Sequence, residues 1–361
     1  MSIQLKNMFF TEDSVNNMAN KISEYYAGFD KKKFVNLVFA RGWLDKELKE
    51  RMRHVTQCLH KTLPDNYGEA LEILKKVIPH IKGFDLMCMP DYVEVYGLDD
   101  WEQSLPALSY FTLYASSEFA IRPFLDKNPE KGMKYMLELA GNENHSIRRF
   151  SSEGCRPRLP WAMALPKFKN NPSLIIPVLE KLKNDESDFV RRSVANNLND
   201  ISKDNPELAL ELCGKWKGKS DNTDWIIKHA CRGMLKAGNK RALMLFGFGD
   251  PQNIDIEDLN FIKEEANLGE KLQFSFKLIN RENELTKIRL EYCVYYMKAN
   301  GKLAGKVFQI SEKSYKTGKY SFKRNQAFVN MTTRKHYPGK HEISIIVNGE
   351  EKIRKEFELK M

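Results

Sequence analysis

Between residues 148 and 158 the sequence sets four arginines, Arg148, Arg149, Arg156 and Arg158, around one glutamate, Glu153. Guanidinium groups present a planar fork of donors that fits phosphate oxygens in pairs. Cations at that distance also favour the ionised form of the glutamate. The full stretch reads Arg148-Arg149-Phe150-Ser151-Ser152-Glu153-Gly154-Cys155-Arg156-Pro157-Arg158-Leu159-Pro160-Trp161. Pro157 and Pro160 forbid a regular helix through its second half, so the backbone must leave the helix beside Glu153. Gly154, the two prolines and Trp161 then make a rigid loop ending in a flat ring suited to stacking on a base or sugar. The plainer alternative is a solvated charged loop between two helices, with Trp161 filling the core.

Other residues with chemical potential form no comparable constellation. Seven histidines show no ligand spacing, and His54 one turn before Cys58 reads as incidental. Six cysteines are scattered without a close pair or a His/Cys cluster, the pattern of reduced thiols in a cytosolic protein. No metal or cofactor is expected. Asn196 and Asn197 read as surface, Trp216 and Trp225 as packing residues, and Trp43 and Trp101 as core.

The elements that must position the acidic loop are helical. Leu48, Met52, Val55 and Leu59, and again Leu71, Leu74, Val77 and Ile78, recur at spacings of three and four. Breaks fall at Leu63-Pro64-Asp65-Asn66, Lys127-Asn128-Pro129 and Asp204-Asn205-Pro206. The helical text repeats. Ser116-Ser117-Glu118 returns 35 residues later as Ser151-Ser152-Glu153, each followed by an Arg-Pro pair, Arg122-Pro123 and Arg156-Pro157. Ile147-Arg148-Arg149-Phe150 resembles Val190-Arg191-Arg192-Ser193, and Asp188-Phe189-Val190 resembles Asp224-Trp225-Ile226. Such periods belong to HEAT-like arrays of helix pairs. Aligning the repeats puts Glu118, Glu153, Asn196 and Arg232 at equivalent places on successive helices, with Asp200 one turn beyond Asn196 on the same wall.

Near Phe246-Gly247-Phe248-Gly249-Asp250-Pro251 the text changes to alternation. Leu272, Phe274, Phe276 and Leu278 share a face, further runs follow at Ile288–Met297, Lys319–Met331 and His341–Val347, and Asn348-Gly349 signals a hairpin. About seven short strands at this spacing suit an immunoglobulin-like sandwich. The expected architecture is an all-α HEAT-like repeat solenoid over residues 1–250 followed by an all-β immunoglobulin-like sandwich over 251–361.

Charge divides the same way. The chain carries a net +10, of which residues 261–361 hold +9. A basic module on a nearly neutral body points to an acidic polymer, nucleic acid before membrane. Lys313, Lys316, Lys319, Lys323, Arg324, Arg334 and Lys335 would then clamp a DNA backbone from strand ends and loops; the alternative is a soluble lysine-rich surface. No apolar run approaches the ~20 residues of a membrane span, and Met1–Phe10 lacks the features of a secretory signal.

Arg-Pro-Arg-Leu-Pro-Trp at 156–161 after Ser-Ser-Glu resembles the AlkC-type DNA glycosylases, HEAT-like repeat enzymes of alkylation repair. The resemblance extends over 47–54, 116–123, 188–204 and 224–239, and one branch of that family carries an immunoglobulin-like C-terminal domain. It implies removal of N3-methylated bases, notably 3-methylcytosine and 3-methyladenine, from double-stranded DNA without flipping the base. By similarity the catalytic acids are Glu118, Glu153 and Asp200, Trp161 lies beside the lesion, and Arg149 and Arg156 contact DNA, with Arg148, Arg158, Lys323 and Arg324 as further candidates. A monomer, cytoplasmic and associated with the nucleoid, follows.

Elementary chemistry agrees. N3-methylation makes the base cationic and a good leaving group, so no acid need protonate it. Bond cleavage builds oxocarbenium character on the sugar, which a carboxylate stabilises while another orients water. The competing expectations are a non-catalytic scaffold, since HEAT faces commonly bind protein or nucleic acid, and a damage-recognition protein without activity.

Overall fold

The computed structural model describes residues 5–330 and 335–360; Arg334 lies outside the described residues. Two compact units result, Met1–Ala230 and Cys231–Met361. The change from helix to strand falls later than this division, between Leu245 and Ile254. Two short helices therefore pack with the strands rather than with the helices before them.

The first unit is helical throughout: α1 Glu12–Tyr25, α2 Lys31–Val38, α3 Leu48–His60, α4 Tyr67–Val77, α5 Cys88–Tyr96, α6 Trp101–Phe111 and α7 Arg122–Lys127. It continues with α8 Pro129–Leu139, α9 His145–Gly154, α10 Pro166–Asn170, α11 Ile176–Leu182, α12 Asp188–Asp204, α13 Pro206–Trp216 and α14 Asp221–Ala230. The polar breaks cap these helices. The Asn66 side chain accepts from the Glu69 amide at 3.0 Å, Asn128 from Lys131 at 3.0 Å, and Asn144 from Ser146 at 2.8 Å. Prolines at 129 and 206 occupy first-turn positions, where no amide donor is needed. Met52, Val55 and Leu59 of α3, and Leu71, Leu74 and Val77 of α4, are buried. Packing is local: α8 meets α9, α9 meets α11 and α12, and α12 meets α13 and α14. Trp216, Trp43 and Trp101 are buried as expected.

The second unit opens with α15 Arg232–Lys236 and α16 Lys240–Leu245. Eight strands follow among the described residues: β1 Ile254–Phe261, β2 Glu265–Asn267, β3 Lys271–Asn280, β4 Thr286–Met297, β5 Leu303–Tyr315, β6 Gly318–Ala327, β7 Gly339–Val347 and β8 Glu350–Lys360. They form two sheets, ordered β1-β3-β6 and β2-β8-β7-β4-β5. Neighbours are antiparallel except β2 and β8. Leu272, Phe274, Phe276 and Leu278 of β3 point inward, as do Ile288, Leu290, Tyr292 and Val294 of β4, and their rings and branches fill the space between the sheets. Asn348 (φ 45°) and Gly349 (φ 80°) are both left-handed, the backbone that a two-residue hairpin turn demands. An all-β immunoglobulin-like domain thus follows an all-α region.

One expectation about this unit is corrected. Lys313 and Lys319 fall near strand ends and Lys316 and Lys335 in loops, as expected, but Lys323 and Arg324 lie in the middle of β6. Side chains alternate along a strand, so Lys323 is exposed while Arg324 turns to the inner side, donating to the Ile310 carbonyl at 3.4 Å.

Candidate active site

Glu153 is the last residue but one of α9. Gly154, the last residue of α9, has no room for a side chain, since a Cβ there would meet Ile121 Cγ2 and Met136 Cε at 2.8 Å each. α12 holds this end in place from the side. Ser193 Oγ bonds Ser152 Oγ at 3.0 Å, and Asn197 Nδ2 donates to the Ser152 carbonyl at 2.8 Å and reaches Cys155 Sγ at 3.4 Å. Asn197 is fully buried and so is not the surface residue expected from its polarity. Asp200 lies one turn further along α12. Glu118 corrects the repeat alignment in turn: it occupies the turn before α7, not a helix. Asn196 accepts from His229 Nε2 at 3.2 Å, and Arg232 belongs to the second unit.

The three acids nevertheless converge on one row of alternating charge. Arg149 Nη1 bonds Glu118 Oε1, and Arg149 Nη2 lies 3.7 Å from Glu153 Oε1. Arg156 bridges the next pair, Nη1 to Glu153 Oε1 at 2.6 Å and Nε to Asp200 Oδ2 at 2.9 Å. Lys203 Nζ ends the row 3.0 Å from Asp200 Oδ1. All three acids are buried, as is Arg156. Burial depresses the Arg156 guanidinium, but Glu153 and Asp200 outweigh it and the net shift is upward.

Glu118 is the exception within this row. Burial lifts its carboxyl above the ordinary value, only partly opposed by Arg149. Its second oxygen, Oε2, is buried with no hydrogen-bond partner among the described residues. Such an orphaned acceptor costs about 1–3 kcal/mol, and more where the group is charged. A fold keeps a group like this where a cationic centre or a water will complete it.

Trp161 does not fill the core. Its ring is 64% exposed, and its backbone is left-handed at φ 66°. A bulky residue in that region is strained by about 1–3 kcal/mol and must be held there by its surroundings. Lys49 of α3 supplies one tether, Nζ to the Trp161 carbonyl at 2.6 Å, and sits 5.6 Å over the Phe119 ring beside Glu118. Lys49 thus ties the loop to the residue that follows Glu118 in the chain. Lys49 falls in the 47–54 stretch of the family resemblance, but its partner lies 112 residues away, so spacing alone does not reveal the contact.

The remaining basic candidates fall elsewhere. Arg148 does not join the row: it forks onto Asp185 at 2.6 and 3.0 Å and donates to the carbonyls of Asn142 and Glu143. Arg191, its repeat partner, caps the carbonyls of Asp185 and Glu186 in the same way. Arg158 is partly exposed and paired with Asp204, Nε to Oδ2 at 2.8 Å. Lys323 and Arg324 lie in the second unit.

A repeated cation-on-ring contact was missed. Arg149 of α9 lies 4.4 Å over the Phe189 ring at the start of α12, and Arg192 of α12 lies 5.8 Å over the Trp225 ring of α14. Phe189 and Trp225 are 48% and 37% exposed, so Trp225 is not simply a packing residue. The text matches that align Arg149 with Arg192 and Phe189 with Trp225 were present in the sequence; the crossing from one helix to the next was not. Among the described residues no group of three or more His, Cys, Asp or Glu is placed to hold a metal ion, and no helix is long and apolar enough to cross a membrane.

Comparisons with known proteins agree with this architecture. Residues 255–361 match the family described as "Uncharacterised protein YhaZ, C-terminal Ig-like domain". The uncharacterized protein YhaZ of Bacillus subtilis (strain 168) is 44% identical over 351 residues, covering 97% of this chain and 98% of that one. The Pseudomonas fluorescens alkylpurine DNA glycosylase AlkC, solved bound to DNA containing an abasic site analog, superposes with a TM-score of 0.95 at 37% identity, covering 99% of this chain and 100% of that one. With the helical unit, the immunoglobulin-like domain and relatives matched from end to end, the chain belongs to the AlkC-type DNA glycosylase family, in the branch that carries a C-terminal immunoglobulin-like domain.

Proposed function

We propose that the chain is a monofunctional glycosylase that hydrolyses the N-glycosidic bond of cationic N3-methylated bases, 3-methylcytosine and 3-methyladenine, in double-stranded DNA. The observation that carries this reading is the buried row of Glu118, Glu153 and Asp200, with one Glu118 oxygen left open, beside the loop that exposes Trp161. The P. fluorescens relative, named an alkylpurine DNA glycosylase, supports it.

The methylated base already bears the positive charge. As the bond from C1′ to the base nitrogen breaks, its electron pair moves onto the base, which leaves neutral, and positive charge passes to the sugar. Carboxylates in a water-poor site stabilise that charge strongly. Water then adds to C1′ and gives up its proton to a carboxylate, leaving an abasic site. Trp161 lies against the lesion nucleotide, which stays unflipped. Arg149 and Arg156 pair with the acids and face the phosphates, while Lys323 and the basic strands of the second unit grip the backbone. The enzyme acts as a monomer, without a cofactor, in the cytoplasm at the nucleoid.

The test is incubation of the protein with methylated duplex DNA and chromatography of any free base. Release of 3-methylcytosine or 3-methyladenine by the wild type, and its loss in Glu153→Gln with duplex binding retained, is the expected result. No free base, with damaged and undamaged duplex bound equally, would instead identify a scaffold.

A further inference from the structure

The duplicated Arg-Pro pair has one member that the reaction does not use. Arg156 of the second copy joins Glu153 to Asp200, whereas Arg122 of the first is completely buried and bonds no carboxylate among the described residues. Its Nη1 donates to the Gly154 carbonyl at 2.9 Å and its Nε to the Met163 carbonyl at 2.5 Å, while Nη2 has no partner among the described residues. A cation buried against main-chain carbonyls is a costly way to fill space, and an apolar side chain of similar volume would do so at less cost.

The two carbonyls explain what the charge achieves. Gly154 directly follows Glu153, and Met163 stands two residues past Trp161. Between them runs the loop of Pro157, Pro160 and the left-handed Trp161. The loop's own ties are weak: the Leu165 amide to the Pro157 carbonyl and the Ala162 amide to the Leu159 carbonyl, both at 3.3 Å. A lysine could not span both acceptors, because only a guanidinium offers two donors in a fixed fork.

We infer that Arg122 is the positioning residue of the Trp161 loop: its buried guanidinium ties the loop's two ends together and so fixes the exposed ring relative to the helix end that carries Glu153. Lys49, bonded to the Trp161 carbonyl, is the outer tether of the same loop. Burial lowers the Arg122 guanidinium to about 10, so it remains charged at neutral pH, and Glu153 and Asp200 lie within its field. The catalytic consequence rests on the glycosylase reading; the clamp itself does not.

The experiment uses full-length Arg122→Lys, Arg122→Met and Lys49→Ala, each also made with Trp161→Phe so that the Trp161 signal is obtained by difference. Iodide quenching of tryptophan fluorescence reports the exposure of the ring, and single-turnover base release and duplex affinity are measured beside it. The expected result is altered quenching of the Trp161 component in every folded Arg122 variant, with single-turnover release slowed about tenfold or more while affinity holds, the pattern of a displaced contact rather than lost binding. Unchanged Trp161 quenching in a folded Arg122 variant overturns the inference, as does a loss of rate that only parallels a loss of thermal stability. Should Arg122→Met fail to fold, Arg122→Lys decides, and unchanged quenching in it overturns the inference. If the wild type releases no base while the quenching shift occurs, the glycosylase reading falls and the clamp stands.

Discussion

Glu118 is where pH should act. Burial raises its carboxyl, with Arg149 opposing, and the net shift is upward. If the ionised form supports base release, activity is lost as pH falls through a value above the ordinary glutamate range of about 4.3. The acid limb of the single-turnover pH profile is therefore expected above that range. It should move further up in Arg149→Ala and vanish with the activity in Glu118→Gln. The stability sign runs the other way. A carboxyl raised on folding contributes stability that is present below its unfolded value and lost as pH rises through the folded one. Wild type should then gain on Glu118→Gln as pH falls, which chemical denaturation at several pH values checks.

Arg148 makes a contrasting prediction at the same scale. Its side chain is 11% exposed and Asp185 is 5% exposed, so Arg148→Ala strands a buried carboxylate and two carbonyls. A loss of about 1–3 kcal/mol is expected, measured by denaturant melts. Arg158 on Asp204, partly exposed, should lose no more than about 1 kcal/mol. Arg148 and its neighbour Arg149 thus separate into one that holds Asp185 and one that pairs with Glu118, a distinction that their common type conceals.

At the scale of elements, the repeat carries the site. Ser151-Ser152-Glu153 and the Arg-Arg pairs could be read directly because a helical repeat returns the same residue types to the same packing positions. Glu153 and Asp200, on helices, fell where periodicity put them. Glu118 did not, because its place is set by a turn that precedes α7 and not by helix phase. Asn197 departs from the surface expectation because polarity alone does not show that its donor will be spent on a carbonyl of α9. The exposed ring of Trp161 was half legible: two prolines announced the loop, but tethers from Lys49 and Arg122 come from distant sequence.

The same repeat yields a prediction for Arg192. It duplicates the stacking of Arg149 on an aromatic ring, yet it is 62% exposed and its carboxylate partner is Asp188, itself half exposed, not an acid of the buried row. A guanidinium over a ring and open to solvent is suited to a phosphate. Arg192→Ala should weaken duplex binding across sequences and reduce the slope of log affinity against log salt by about 0.9, one phosphate contact. Titration at several salt concentrations checks it, and an unchanged slope would remove Arg192 from the interface.

At the scale of the whole chain, the charge excess and the sandwich lie in the same stretch. Residues 261–361 hold +9 of the net +10, and strand alternation decides which of those cations face water. On β3 and β6 the outward positions include Lys271, Lys319 and Lys323, all exposed, whereas Lys277 is paired with Asp258 at 2.8 Å. Arg324 is turned inward, where it reaches the Ile310 carbonyl of β5 from β6 and so spans the open side between the two sheets. Adjacent residues should therefore fail in different ways. Lys323→Ala is expected to change stability by no more than about 0.5 kcal/mol while lowering the salt dependence of duplex binding. Arg324→Ala should instead lose about 1 kcal/mol of folding stability, the contribution of a charged hydrogen bond that is only partly shielded. Paired denaturant melts and salt titrations on the two variants separate these effects. If Lys323→Ala leaves the salt slope untouched, the charge of this strand serves solubility, and the grip on DNA must come from the helical unit.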